Sequence, residues 1–267
     1  MLEPIQRPST RTSTYGARRA LLALVLFGMS FGYVEAAVVV YLRPLYEPLH
    51  ERFHPNFKKS DLFPLLRADE LAARPEVKQC FMVELGRETA TLIMLAATGL
   101  AVAHNFHQWF AGFVVAFGVW DIFYYVFLKL LLDWPASLME WDLLFLLPVP
   151  WAGPVAAPVL AALSMIGAGA ILLHGEAIGR PIRPGALAWS AIVAGGLLIV
   201  AAFCWDCRNL MQGGTPNPFH WPLFTFGEVL GLAGFVHAWW KSPNGCSSAE
   251  VDAGEHIVEV PTSNYPA

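Results

Sequence analysis

Charge is what this sequence has least of. Asp, Glu, Lys and Arg make up 14% of its 267 residues and hydrophobic residues 56%, against about 25% and 45–50% in an ordinary soluble domain. A fully water-facing surface cannot be built from that mixture. A basic footprint is missing too: the net charge of −4 and a pI near 6.0 exclude a nucleic-acid partner. There is no glycine-rich phosphate loop, no G-x-S-x-G elbow and no internal repeat with a clear period. The alternating ten-residue segments of a membrane β-barrel are also absent.

What the chain has instead is long apolar runs. Six can be placed, at Ala20–Leu42, Phe81–Ala103, Trp109–Leu132, Pro154–Leu173, Ala186–Ala202 and Trp221–Trp240, each long enough to cross a hydrocarbon core of about 30 Å as a helix. The first follows Arg18 and Arg19 but is too long for a secretory h-region of about 7–15 residues, and it contains Glu35, so it reads as a retained helix. The expected fold is therefore all-α: a polytopic integral membrane bundle of about six transmembrane helices with a Pro-rich re-entrant or interfacial segment at 143–153. Residues 1–17 and the acidic stretch 242–267 lack the apolar content to fold and are expected to be disordered tails. The transmembrane domain covers 18–241, with 43–80 a long extramembrane loop carrying short interfacial helices. Its five prolines, Pro44, Pro48, Pro55, Pro64 and Pro75, argue against one continuous helix there.

Tryptophan marks the helix ends, since its ring favours the membrane–water interface. Trp109, Trp189, Trp239 and Trp240 fall at one set of ends; Trp134, Trp141, Trp151, Trp205 and Trp221 fall at the other, leaving Trp120 inside a span. An even number of spans puts both termini on one side. Four arginines precede the first span (Arg7, Arg11, Arg18 and Arg19), so the expected location is the cell inner membrane with cytoplasmic termini. The bilayer is then the first partner. Gly28-Met-Ser-Phe-Gly32 and Gly227-Glu-Val-Leu-Gly231 have the small-residue spacing of close helix contacts and are expected to pack within the chain.

The few charges inside the spans collect at one depth. Glu35 lies near the far end of the first span, Glu88 about seven residues into the second, Glu228 seven into the sixth, and Asp121 and Lys129 toward the end of the third. Asp121, Tyr125 and Lys129 step by four and form one polar stripe, and Asp142 follows just beyond. A charge at the bilayer centre costs roughly 2.5–3.5 kcal/mol on insertion scales. Glu35, Arg87, Glu88, Asp121, Tyr125, Lys129, Asp142 and Glu228 are therefore expected to form an intramembrane polar cluster, with Arg87 pairing Glu35 or Glu88 and Lys129 pairing Asp121. Glu84, only three residues inside its span, is expected to sit at headgroup level while Glu88 is the functional glutamate. Such a cluster would line a cavity in one leaflet that handles a proton, ion, small polar solute or lipid headgroup, as a transporter would. The bland alternative is a structural subunit held by an internal salt-bridge network.

Two short motifs offer other chemistries. His50-Glu-Arg-Phe-His54 matches H-E-x-x-H and resembles the zinc metallopeptidases; by that resemblance His50 and His54 would be ligands and Glu51 the base, with Asp69, Glu70 and Glu76 as candidate third ligands. The residue before Pro55 is pushed out of helical geometry, so the helix that motif needs would end on its second ligand. The polar cluster itself is oxygen-rich, which suits Mg, Ca or Mn better than zinc, but Arg87 and Lys129 would repel a cation, so no metal is expected there. Cys204-Trp-Asp-Cys207, on the same side as Cys80, has the layout of membrane thiol–disulfide exchange proteins, although cysteines in apolar helices are usually inert. His104, His107, His174 and His237 fall at helix ends or on opposite faces and call for no ligand. No cofactor is indicated.

Overall fold

The computed structural model describes residues 10–55 and 62–242. It is mostly helical, as expected, with one two-stranded sheet. The helices are α1 (Thr10–Phe53), α2 (Ala68–Ala72), α3 (Pro75–Ala101), α4 (Phe106–Leu132), α5 (Ala156–Ala177), α6 (Ala186–Phe203), α7 (Cys207–Met211) and α8 (Trp221–Lys241); strands β1 (Trp141–Phe145) and β2 (Trp151–Pro154) lie between α4 and α5. Four segments are long and apolar enough to cross a membrane: Gly16–Phe53, Phe106–Leu132, Ala156–Ala177 and Ala186–Met211. The expected tail 242–267 lies outside the described residues from 243 on, as do residues 1–9.

The first helix departs furthest from expectation. It starts at Thr10, inside the stretch read as a disordered tail, and runs through Pro44 and Pro48 to Phe53, well past Leu42. Each proline removes one i→i−4 hydrogen bond, but the extension is held by packing: Leu49 is fully buried with Leu71 of α2 and Val77 of α3, and Tyr46, Phe53, Leu66 and Phe81 close around them. At 44 residues α1 is about 66 Å long, more than twice a hydrocarbon core.

Local chemistry sets the other ends. Pro75 opens α3 with Arg74 extended before it, the geometry that a following proline imposes. Asn105 caps α4 by accepting from the Gln108 N–H (3.0 Å). Asp133 closes α4 in the left-handed region at φ 52°, and its carboxylate meets Lys129 Nζ at 2.7 Å.

The Pro-rich segment is not irregular throughout, as its prolines suggested. Trp141–Phe145 and Trp151–Pro154 pair antiparallel, with Asp142 opposite Gly153 and a break in register between Leu143 and Phe145. Pro148 and Pro150 fall in the turn, where no ladder N–H is needed. Gly153 is required by close packing, because a Cβ there would come within 2.9 Å of the Phe203 ring.

Small residues bring the helices together within this one chain. On α1, a Cβ at Gly28 would meet Val119 and one at Gly32 would meet the backbone of Tyr124 and Trp120; on α6 and α8, Gly195 and Gly227 face each other's carbonyl oxygens. The main core gathers Leu24, Leu95, Val115 and Trp120 among others. The close approach of α1 to α4 at Gly32 puts Glu35 of α1 and Trp120 and Asp121 of α4 on the wall of one cavity.

Candidate functional site

Five polar or charged residues are buried among the described residues: Glu35, Glu88, Thr91, Asp121 and Asp142. All five line the same cavity, of about 680 Å³, between α1, α3, α4 and the hairpin. Burying any of these groups without a partner would cost several kcal/mol, so how each is satisfied reveals what the cavity does.

Glu35 of α1 is held from α3. Arg87 forms an ion pair with it, and the Thr91 hydroxyl donates to its Oε1 at 2.8 Å. Thr91 lies four residues after Arg87, so both reach α1 from one face of α3. The same guanidinium binds Glu84, its Nε donating to Oε1 at 2.8 Å. Arg87 thus bridges two acids, one local and one across the interface, in the charge-assisted geometry that favours arginine.

Glu88 has a different task. The Leu146 N–H donates to both of its carboxylate oxygens, at 3.0 and 3.1 Å. Leu146 is the residue just after β1, where the ladder has ended, so the carboxylate stands in for the missing strand partner. Asp142, on β1, accepts from the Tyr125 hydroxyl at 2.8 Å and so ties the hairpin to α4. Arg43, on the α1 extension, lies over the Trp134 ring at 5.4 Å, a cation–π distance.

Asp121 is the exception. It is 7% exposed, it lines the cavity, and its Oδ2 is buried with no hydrogen-bond partner. Its neighbour Trp120 keeps a buried indole N–H unpartnered as well.

Of the eight residues expected to cluster, six meet at this cavity: Glu35, Arg87, Glu88, Asp121, Tyr125 and Asp142. Two do not. Lys129 is half-exposed and pairs with Asp133 rather than Asp121; eight residues along one helix separate the expected partners by about 12 Å. That contact holds the exposed Asp133 carboxyl below its ordinary range, first through the hydrogen bond from Lys129 and then through its charge. Glu228 lies on α8 and bonds Ser164 of α5 instead. The pairing of Arg87 is also corrected: it engages Glu35 and Glu84, while Glu88 turns to the hairpin. Glu84 therefore belongs to the cavity wall, although its depth suggested otherwise.

Sequence reasoning missed Arg43, Tyr124, Thr91 and Trp120 as lining residues. For Trp120 the signal was present, because it is the tryptophan left inside a span while the others mark ends. Thr91 could have been found from its four-residue step after Arg87.

Both motifs fall at helix ends. His50 is on the last turn of α1, and His54 follows the helix end with its Nε2 3.6 Å from Glu70 Oε2. No group of three or more His, Cys, Asp or Glu side chains among the described residues is placed to hold a metal ion. Cys80, Cys204 and Cys207 are free thiols. Between the last two, Asp206 accepts from the Asn217 N–H (2.9 Å) and from the side chains of Asn217 (2.8 Å) and Asn209 (3.0 Å), so this stretch serves as a clasp for the loop before α8.

Comparison with protein-family profiles, curated proteins and solved structures finds no match. The reading of this site rests on its own geometry.

Proposed function

We propose that this chain is an integral membrane protein that crosses the bilayer six times and binds a small solute in the cavity beside Asp121. Four segments already have the length and hydropathy of spans. The other two crossings are α3 and α8, with 27 and 21 residues, about 40 and 31 Å long. The charges that set α3 apart, Glu84, Arg87 and Glu88, line the cavity. Arg87 pairs with Glu84 and Glu88 is hydrogen-bonded by the Leu146 N–H of the hairpin, and facing an internal cavity with partners is how charged residues persist at membrane depth. In this reading the hairpin 141–154 is the re-entrant element: its ladder and Glu88 satisfy the backbone that lipid could not. Six crossings keep both termini on one face, and the four arginines ahead of the first apolar run, Arg7, Arg11, Arg18 and Arg19, favour the cytoplasmic one, at the inner membrane.

One observation carries the assignment of a binding site. Among the described residues, four of the five buried polar side chains have hydrogen-bond or ion-pair partners, while the Oδ2 of Asp121 has none. A salt-bridge network that served only to hold the fold would have no use for a buried carboxyl left unsatisfied on a cavity wall. The cavity also falls in the range of about 300–1,000 Å³ usual for small-molecule sites.

A hydrophobic carbodiimide tests this, because it reaches carboxyl groups from the apolar phase and leaves a stable N-acylurea. With protein purified in a neutral maltoside detergent, the adduct should map to Asp121 and should vanish in Asp121→Asn. Labelling confined to other carboxyls, with Asp121 unmodified, would remove the binding-site reading.

A further inference from the structure

The walls of the cavity say what kind of solute fits beside Asp121. Six carboxyl side chains line it (Glu35, Glu47, Glu84, Glu88, Asp121 and Asp142) against two arginines, Arg43 and Arg87. Arg87 is engaged by Glu35 and Glu84; Arg43 lies over Trp134 with its Nε lacking a hydrogen-bond partner, which leaves one guanidinium against Glu88, Asp121 and Asp142. An anionic solute would meet this excess of carboxyl groups and be repelled, so charge balance favours a cation.

Size and lining separate organic from inorganic cations. A bare metal ion needs several oxygen donors converging within about 2–2.6 Å, and the described residues offer no such group. About 680 Å³ is far more than one ion occupies, and the wall is largely aromatic and aliphatic: Phe81, Trp120, Tyr124, Trp134 and Phe145 all contribute. Aromatic faces with one carboxylate are the recognition chemistry of ammonium groups on apolar bodies.

We propose that the cavity binds an organic ammonium ion, its nitrogen at Asp121 and its apolar body against the aromatic wall. This rests on the binding-site reading above and adds the ligand class to it. Two sources share that chemistry, a free amphiphilic cation and the ammonium of a lipid headgroup. The second brings a phosphate into a carboxyl-rich wall and is disfavoured.

The test uses N,N-dimethylbenzylammonium, which is aromatic, cationic at neutral pH, carries one N–H donor for Asp121 and, as a tertiary amine, forms no amide under carbodiimide, with benzyl alcohol and benzenesulfonate as neutral and anionic counterparts. Isothermal titration in maltoside micelles should show binding of the cation at least about tenfold tighter than of either counterpart, the size expected for one charge-assisted contact. The cation should also protect Asp121 of the wild-type protein from the carbodiimide, a readout that needs no variant to fold. Protection by a short-chain phosphatidylcholine as well would assign the site to a headgroup; protection by the soluble cation alone would assign it to a free solute. If Asp121 is labelled but the cation neither binds preferentially nor protects, the ammonium assignment is wrong and the cavity stands. If Asp121 is never labelled, the binding-site reading itself has failed.

Discussion

Arg87→Leu should lower stability by about 3–5 kcal/mol, the cost of leaving buried charge without its partner. The substitution strands two acids at once, Glu35 across the interface with α1 and Glu84 on its own helix. Glu35 is the more demanding, being 5% exposed, and the Thr91 hydroxyl cannot neutralise a charge. Adding Glu35→Gln to Arg87→Leu should therefore recover a large part of the loss, because an amide keeps a hydrogen bond with Thr91 and carries no charge. Adding Glu88→Gln should recover less, since Glu88 makes no ion-pair contact with Arg87 and feels its charge only at longer range, its carboxylate being held by the Leu146 N–H. Denaturation in mixed micelles, comparing single and paired variants, measures both couplings. Equal recovery from both second substitutions would show that Arg87 does not discriminate between the two glutamates as the structure has it.

Gly195→Leu should separate α8 from α6. A Cβ at Gly195 would come within 2.5 Å of the Gly227 carbonyl oxygen and 2.7 Å of the Gly231 nitrogen. Both obstacles are backbone, so no side chain can rotate away. Overpacking a well-filled contact typically costs about 1–3 kcal/mol, and a whole leucine at a backbone-to-backbone contact should reach the upper end. Gly196→Leu is the control, with the same helix and the same added volume but nothing within 4 Å of its Cβ. Comparable melting temperatures for the two variants would contradict the packing described.

Much of the architecture was legible because it follows from composition and run length. Apolar runs bounded by Trp and Pro located most of the long helices, and the expected polar cluster held Glu35, Glu88, Asp121 and Asp142 of the five buried polar residues, missing Thr91. The extension of α1 was not legible, and the reason is instructive. Glu35, Val39, Arg43, Tyr46, Glu47 and His50 follow helical spacing and all line the cavity, but Pro44 and Pro48 outweighed that pattern in a local reading. The buried contacts of Leu49 with α2 and α3, which offset the lost hydrogen bonds, are long-range and leave no mark on the neighbouring residues. The hairpin was hidden for a similar reason. Its prolines ruled out a helix, but only the Glu88 carboxylate, 58 residues away from Leu146, shows how its backbone is satisfied after β1. Lys129 and Glu228 were misplaced because sequence depth gives height in the bundle and not the direction in which a side chain points.

The central claim is that polar side chains from α1, α3, α4 and the hairpin enclose one cavity reachable from water, while the outer faces of the same helices meet lipid. Cysteine accessibility measures this directly. In a background with the native cysteines replaced, single cysteines would be placed at the half-buried, cavity-lining positions Val39 and Leu85 and at the outward positions Leu130 and Leu163, which are 73% and 55% exposed on the bare protein. Reconstituted in vesicles and treated with a small charged thiosulfonate, Val39→Cys and Leu85→Cys should react, and Leu130→Cys and Leu163→Cys should be protected by lipid. Reactivity that instead followed exposure on the bare protein, with the outward cysteines modified and the cavity cysteines silent, would contradict the account.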